Sequence, residues 1–217
     1  MKIRSVRSVL AALAALGLLA AGSVPAQAQG MMDDGPTWSV DGRGGIAMPV
    51  GDFSDLAIDD VGLTFGAGFA YHVHPRVAIR ADGDVEMYGG STVEEGLGGT
   101  GPDISLWHYN AGVQVELTRP GAGPLSVSAN LGGGATTWDT DDFFIQDGAT
   151  EISETYFTGN GGLRVGYEAT RNVSVFLDGQ WYMQFGDDAV LSQLPDAPSD
   201  FETVNSLPLR AGVEIGF

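Results

Sequence analysis

Val77-Ala78-Ile79-Arg80-Ala81-Asp82-Gly83-Asp84-Val85-Glu86-Met87 is an alternation of two chemistries. Val77, Ile79, Ala81, Gly83, Val85 and Met87 take every second position, and Ala78, Arg80, Asp82, Asp84 and Glu86 take the positions between. A period of two is the geometry of a β-strand, whose successive side chains leave opposite faces of a sheet. One face of this strand carries no charge, whereas four of the five side chains on the other are ionisable.

The same pattern recurs in seven further segments: Trp38 to Met48, Val61 to Val73, Trp107 to Leu117, Leu125 to Thr137, Phe157 to Tyr167, Val173 to Phe185, and Leu207 to Phe217. Across all eight, the 51 positions of the apolar set hold no charge, while the 43 positions between them hold four arginines and seven acids. The choice of one register per segment cannot empty so many positions, so eight strands with one uncharged face each are predicted. The 33 glycines and 10 prolines suit an all-β chain with many turns and bends.

The chain opens with a different signature. Lys2, Arg4 and Arg7 precede an apolar run from Val9 to Ala21, and Ala26-Gln27-Ala28 supplies a small-x-small cleavage site. That run is shorter than the roughly 18 residues a permanent membrane helix needs. Residues 1–28 therefore read as a cleaved export signal and residues 29–217 as one barrel domain. No later run could cross as a helix, so a membrane-spanning mature chain would have to close into a barrel. Without cysteine, neither disulfides nor cysteine-based metal sites are available.

Beyond the leader the chain has no lysine, and seven arginines face 28 acids. A nucleic-acid surface needs clustered cations to displace phosphate counterions, so that class is excluded.

Alternation alone also fits a soluble barrel with its apolar face inside, such as a lipocalin-like one. Three features favour the inverted arrangement. Charges on the polar face are arginines beside carboxylates, a pairing suited to a confined interior. Aromatic residues collect at segment ends: Trp38, Tyr71, Tyr167 and Phe217 at one rim, Trp107, Phe157, Trp181 and Phe185 at the other, like the interfacial girdles of outer-membrane barrels. Connections also alternate in length. Residues 74–76, 119–124 and 168–172 are short, whereas 49–60, 88–106, 138–156 and 186–206 are long, as for periplasmic turns and outer loops. An all-β, eight-stranded antiparallel transmembrane up-and-down β-barrel is predicted, with the uncharged face toward lipid.

The export signal, Pro49-Val50-Gly51-Asp52-Phe53-Ser54 after the first strand, and the ending Ala211-Gly212-Val213-Glu214-Ile215-Gly216-Phe217 resemble the small outer-membrane barrels, the OmpA-, OmpX- and OmpW-like superfamily. The resemblance implies location in the cell outer membrane, contact with its lipid and lipopolysaccharide, and a terminal Phe217 read by the barrel-assembly machinery.

Eight strands leave interior room for little but side chains. Arg43, Arg80, Arg164 and Arg210 are expected to pair there with Asp41, Asp82, Asp84, Glu86, Glu116, Asp178 and Glu214. That network reads either as a salt-bridged plug, the favoured reading, or as a polar path for ions and small solutes. In the outer loops, Asp139, Asp141, Asp142, Asp147 and Glu151, with the pairs Asp59-Asp60, Glu94-Glu95 and Asp187-Asp188, could attract divalent cations. Their spacing does not match a calcium loop, so no specific metal site is predicted. Outer-membrane proteases and lipid A-modifying enzymes share this architecture, but His72, His74 and His108 form no constellation with a serine and an acid. No catalytic residue and no cofactor is predicted. The expected function is a non-enzymatic barrel, structural or weakly porin-like. The alternative is a surface-binding barrel acting through acidic loops, with a lipid A-modifying enzyme third.

Overall fold

A computed structural model of the chain describes residues 37–51, 53, 61–89, 103–118, 123–145, 148–185 and 203–217. They form eight strands: β1 (Trp38–Val50), β2 (Gly62–His74), β3 (Val77–Tyr88), β4 (Asp103–Glu116), β5 (Leu125–Ile145), β6 (Gly148–Thr170), β7 (Val173–Phe185) and β8 (Thr203–Gly216). Each pairs antiparallel with its neighbours in sequence, and β8 pairs with β1 to close the barrel. The seam runs to the last residue, where Phe217 N–H donates to the Trp38 carbonyl (2.9 Å) and Trp38 N–H to the Phe217 carbonyl (3.1 Å). Closure leaves no sheet edge along the barrel wall.

The uncharged face points outward. Leu63, Ile79, Tyr109, Leu125, Leu163 and Leu177 are all exposed, and Leu131 is 74% exposed. Inward positions hold the polar set, with Asp41, Arg43, Arg80, Asp84, Glu86, Arg164, Asp178 and Arg210 buried. A soluble barrel would reverse this distribution. The outer surface is an apolar belt with aromatic ends. Trp38 packs on Tyr71 (ring centroids 4.3 Å apart) and on Phe69 (5.1 Å) at the short-turn rim, and Phe157 on Phe185 (6.0 Å) toward the other.

Inward glycines let the wall curl tightly. A methyl group on Gly45, Gly112, Gly134 or Gly162 would strike the backbone carbonyl of Leu209, Leu131, Tyr109 or Gly179 respectively, all on adjoining strands. Small side chains at such positions are what a narrow, strongly coiled barrel requires.

The strands follow the sequence reading except at the long-connection end. The stretch expected as a loop, 138–156, is mostly ladder. β5 and β6 stay paired from Leu125 opposite Tyr167 to Ile145 opposite Gly148, with one irregularity between Thr140 and Phe143. Among the described residues this hairpin extends beyond its neighbours' pairing, since the last β6–β7 pair is Phe157 with Phe185 and the last β4–β5 pair is Asp103 with Asp141. Alternation signals a sheet with one dry face, whereas a sheet wet on both sides continues its backbone pairing without that signal.

Candidate functional site: the barrel interior

The interior is stacked in three layers between the two rims. Nearest the short turns lies a charge cluster. The Arg43 guanidinium spans both oxygens of Asp84, donating from Nε to Oδ1 and from Nη2 to Oδ2 at 2.8 Å each. Its Nη1 reaches Asp82 Oδ1 (2.9 Å) and Asp41 Oδ1 (3.2 Å). Arg80 donates to Asp41 Oδ2 (2.5 Å), Asp82 Oδ1 (2.8 Å) and Gln114 Oε1 (3.0 Å). Arg210 spans Asp178 through Nε (3.1 Å) and Nη2 (3.0 Å), donates also to Gln180, and meets Asp84 Oδ1 at 2.7 Å. Arg164 donates to Glu214 Oε2 (2.9 Å) and lies over the Phe176 ring at 3.7 Å. Four arginines thus face five carboxylates, and forked, charge-assisted bonding of this kind compensates ions removed from water.

Two glycines make room for the cluster. A methyl group on Gly68 would fall 2.6 Å from Asp82 Oδ1 and 2.7 Å from Asp41 Oδ2, and would also strike Arg80. On Gly66 it would strike the Asp84 carboxylate. β2 alternates apolar residues with glycines here because arginines from β1 and β3 need the space above it.

The middle layer holds His108, Glu86 and a belt of hydroxyls. His108 stacks on Tyr182, ring centroids 4.2 Å apart and 6° from parallel. Its Nδ1 bonds Thr136 Oγ1 (2.6 Å), which bonds Thr158 Oγ1 (2.6 Å). Its Nε2 lies 3.4 Å from Glu86 Oε1. Glu86 accepts the hydroxyls of Tyr88 (2.8 Å) and Ser206 (3.1 Å). Tyr182 links this layer to the charge cluster by donating to Asp84 Oδ2 (2.7 Å).

The third layer, at the long-connection end, is apolar. Ala47, Phe53, Tyr88, Ile104, Leu106, Trp138 and Val204 form one buried cluster, with Tyr156 packed against it. Phe53 is 0% exposed and meets Tyr88 (5.3 Å) and Trp138 (5.5 Å) edge-on. Trp138 Nε1 donates to Gln184 Oε1 (2.5 Å), so the buried indole packs in this layer with its polar atom satisfied.

Nine of the eleven charges singled out in the sequence meet in the first layer. Glu86 belongs instead to the hydroxyl belt. Glu116 lies toward the short turns, accepting the Thr118 hydroxyl and the Val127 N–H (3.2 Å), with no arginine beside it among the described residues. His108 is buried on β4, whereas His72 and His74 lie together at the short-turn end of β2, where His74 Nδ1 accepts the Arg76 N–H (3.2 Å).

Among the described residues no three His, Asp or Glu side chains are grouped so as to hold a metal ion. Asp59, Asp60, Glu94, Glu95, Asp147, Asp187 and Asp188 lie outside the described residues. Asp139, Asp141, Asp142 and Glu151 fall on the β5–β6 hairpin rather than in a loop.

The inward placement of Phe53, Tyr88, Ile104, Leu106 and Trp138 was not part of the sequence reading. The signal was present, since Tyr88 lies two residues past Glu86, Leu106 and Ile104 lie two and four before His108, and Trp138 lies two past Thr136. Counting by twos beyond each segment places all four inside.

No family model and no curated protein matches the chain. Among solved structures, Neisserial surface protein A (NspA) superposes with a TM-score of 0.59 at 14% identity, covering 83% of this chain and 97% of that one. The outer membrane protein OprG from Pseudomonas aeruginosa gives a TM-score of 0.49 at 13% identity, covering 86% and 99%. The likeness to the first identifies the fold as that of the small eight-stranded outer-membrane barrels.

Proposed function

We propose that this chain is a non-enzymatic barrel of the bacterial outer membrane that spans the lipid as a filled cylinder and conducts nothing through its axis. One observation carries the reading: the interior is occupied at every level, by paired charges, by a hydrogen-bonded belt and by the Phe53 cluster. Each layer alone would stop hydrated ions, and eight strands leave no space beside such side chains. The apolar outer belt supports burial in hydrocarbon, and the fold supports the outer membrane as its location. Of the structural and porin-like readings, the filled interior favours the structural one.

Planar-bilayer recording of the purified, refolded protein tests this directly. A flat baseline at 1 M salt is expected, and reproducible single-channel steps would reject it. Export through residues 1–28 belongs to the same proposal, and the mature protein should begin at Gln29 on N-terminal sequencing.

A second reading, surface binding, is favoured by the β5–β6 hairpin, which carries strand structure beyond the barrel. Replacing residues 141–151 by an Asn-Gly turn shortens the hairpin and keeps its strands in register. Loss of adhesion or of calcium response, with the barrel intact, would support a binding role. Unchanged adhesion would remove it.

A further inference from the structure

We propose that the barrel holds an off-axis hydration site, a polar recess against the β4–β6 wall that binds about two ordered water molecules on the short-turn side of the hydroxyl belt. The inward positions of this wall differ from those opposite. They run Asn110 and Gly112 on β4, Asn130, Gly132 and Gly134 on β5, and Asn160 and Gly162 on β6. Every one is a glycine or an asparagine. The charges of the first layer, Arg164 apart, come instead from β1, β3, β7 and β8. Gly112 pairs with Gly132, and Asn110 and Asn130 stand on either side of that pair. Asn160 lies opposite Gly132, its Oδ1 only 3.0 Å from where a methyl group on that glycine would sit.

Among the described residues, five atoms along this wall meet no hydrogen-bond partner: Asn110 Oδ1 and Nδ2, Asn130 Oδ1, and Arg164 Nε and Nη2. Asn110 is 7% exposed and Arg164 4%. Buried polar atoms in native proteins are paired, and ordered water supplies the partner where protein does not. A buried water makes about three hydrogen bonds, so these atoms correspond to about two molecules. The mixture of donors and acceptors selects water over an ion. A cation would meet the N–H groups of Asn110 and Arg164. An anion would join a layer in which carboxylates already outnumber arginines. Water both donates and accepts. His108, Thr136 and Thr158 are fully buried, whereas the Glu214 side chain beside Arg164 keeps 21% exposure. Water therefore exchanges with the short-turn side, and the recess ends blind at the belt. It opens no path along the axis. Conductance tests the closed axis and the measurements below test the recess, so either can fail alone.

Rotating-frame NMR of the isotope-labelled, refolded protein in lipid nanodiscs reads the bound water without any substitution. The Asn110 side-chain amide and the Arg164 Nε–H should give cross-peaks to water with the sign of dipolar contact, opposite to that of hydrogen exchange. The Trp138 Nε1–H, which donates to Gln184 in the apolar layer, should give none. Absence of the Asn110 and Arg164 contacts, or equal contact at Trp138, would overturn the proposal. Saturable shifts of these signals on adding sodium chloride would replace water by an ion and overturn it too. Thiol labelling locates the entrance, and a chain without cysteine gives no background. Ser128→Cys stands opposite Arg164, and Ser206→Cys stands beside Glu86 in the middle layer, both at buried positions. Methyl methanethiosulfonate, a small neutral reagent, should modify position 128 at least tenfold faster than position 206. Equal rates, or a faster reaction at 206, would overturn an entrance on the short-turn side.

Discussion

Arg43 and Asp84 meet through two parallel hydrogen bonds of 2.8 Å, although 41 residues separate them in the chain. Asp84 also takes Arg210 (2.7 Å) and the Tyr182 hydroxyl (2.7 Å), so one carboxylate joins side chains from β1, β7 and β8. Removing it leaves two buried guanidinium groups without their shared counterion.

Asp84→Ala should therefore destabilise the barrel by about 3–5 kcal/mol, the usual cost of stripping one partner from a buried ion pair. Urea unfolding in lipid vesicles measures it. Exchanging the pair, Arg43→Asp with Asp84→Arg, should recover part of the loss. A cost below about 1 kcal/mol for Asp84→Ala would show that the cluster holds little together.

Two glycines separate the faces of the sheet. Gly68→Ala thrusts a methyl group between Asp41, Asp82 and Arg80, and should cost about 1–3 kcal/mol, as overpacking does. Gly83→Ala points outward into open space, with nothing within 4 Å, and should change stability by no more than about 0.5 kcal/mol. Equal effects at both sites would contradict the assignment of inside and outside.

Leu131 stands on the outer surface midway along the apolar part of β5. Leu131→Arg should cost about 2–4 kcal/mol in a bilayer, the depth-dependent penalty for a lipid-facing arginine. The penalty should shrink in a short-chain detergent, whose headgroups reach the site. An insensitive protein would show that hydrocarbon does not meet this face.

Phe217 joins two roles that can be parted. Its backbone closes the seam with Trp38, whereas its ring lies on the outer surface. Phe217→Ala keeps both backbone bonds. Refolding into pure lipid should proceed normally, while insertion in cells falls severalfold if the ring is the feature the assembly machinery reads. Equal slowing in both settings would make the ring a structural element only.

Much of this molecule could be read from the chain. The eight strands and their faces follow from alternation, because an apolar exterior and ion pairs inside put opposite chemistry on neighbouring positions. That rule weakens where its cause does. Toward the long-connection end the interior itself turns apolar at Tyr88, Leu106 and Trp138, so both faces look alike and the contrast fades. Farther along the β5–β6 hairpin, Thr136 to Thr140 carry only Trp138 as a large apolar side chain, so no apolar stripe marks the strands and they looked like a loop. The sorting of partners also escaped. Composition placed Glu86 among the arginines, but the register puts it opposite Leu106, beneath Tyr88 and Ser206, in a belt built from hydroxyls. Strand alternation says which way a side chain points, and stagger around the barrel decides whom it meets.

The hydrogen bonds between Trp38 and Phe217 place both ends of the folded region on neighbouring strands at one rim. A short tether could splice them there, and the chain could then be cut at a different hairpin without disturbing the ladder. All eight strand junctions are equivalent in kind, so a circularly permuted version should still close. The same placement fixes polarity for any fusion: a tag on either terminus emerges on the side of the short turns, and display on the opposite side calls for an insertion between strands.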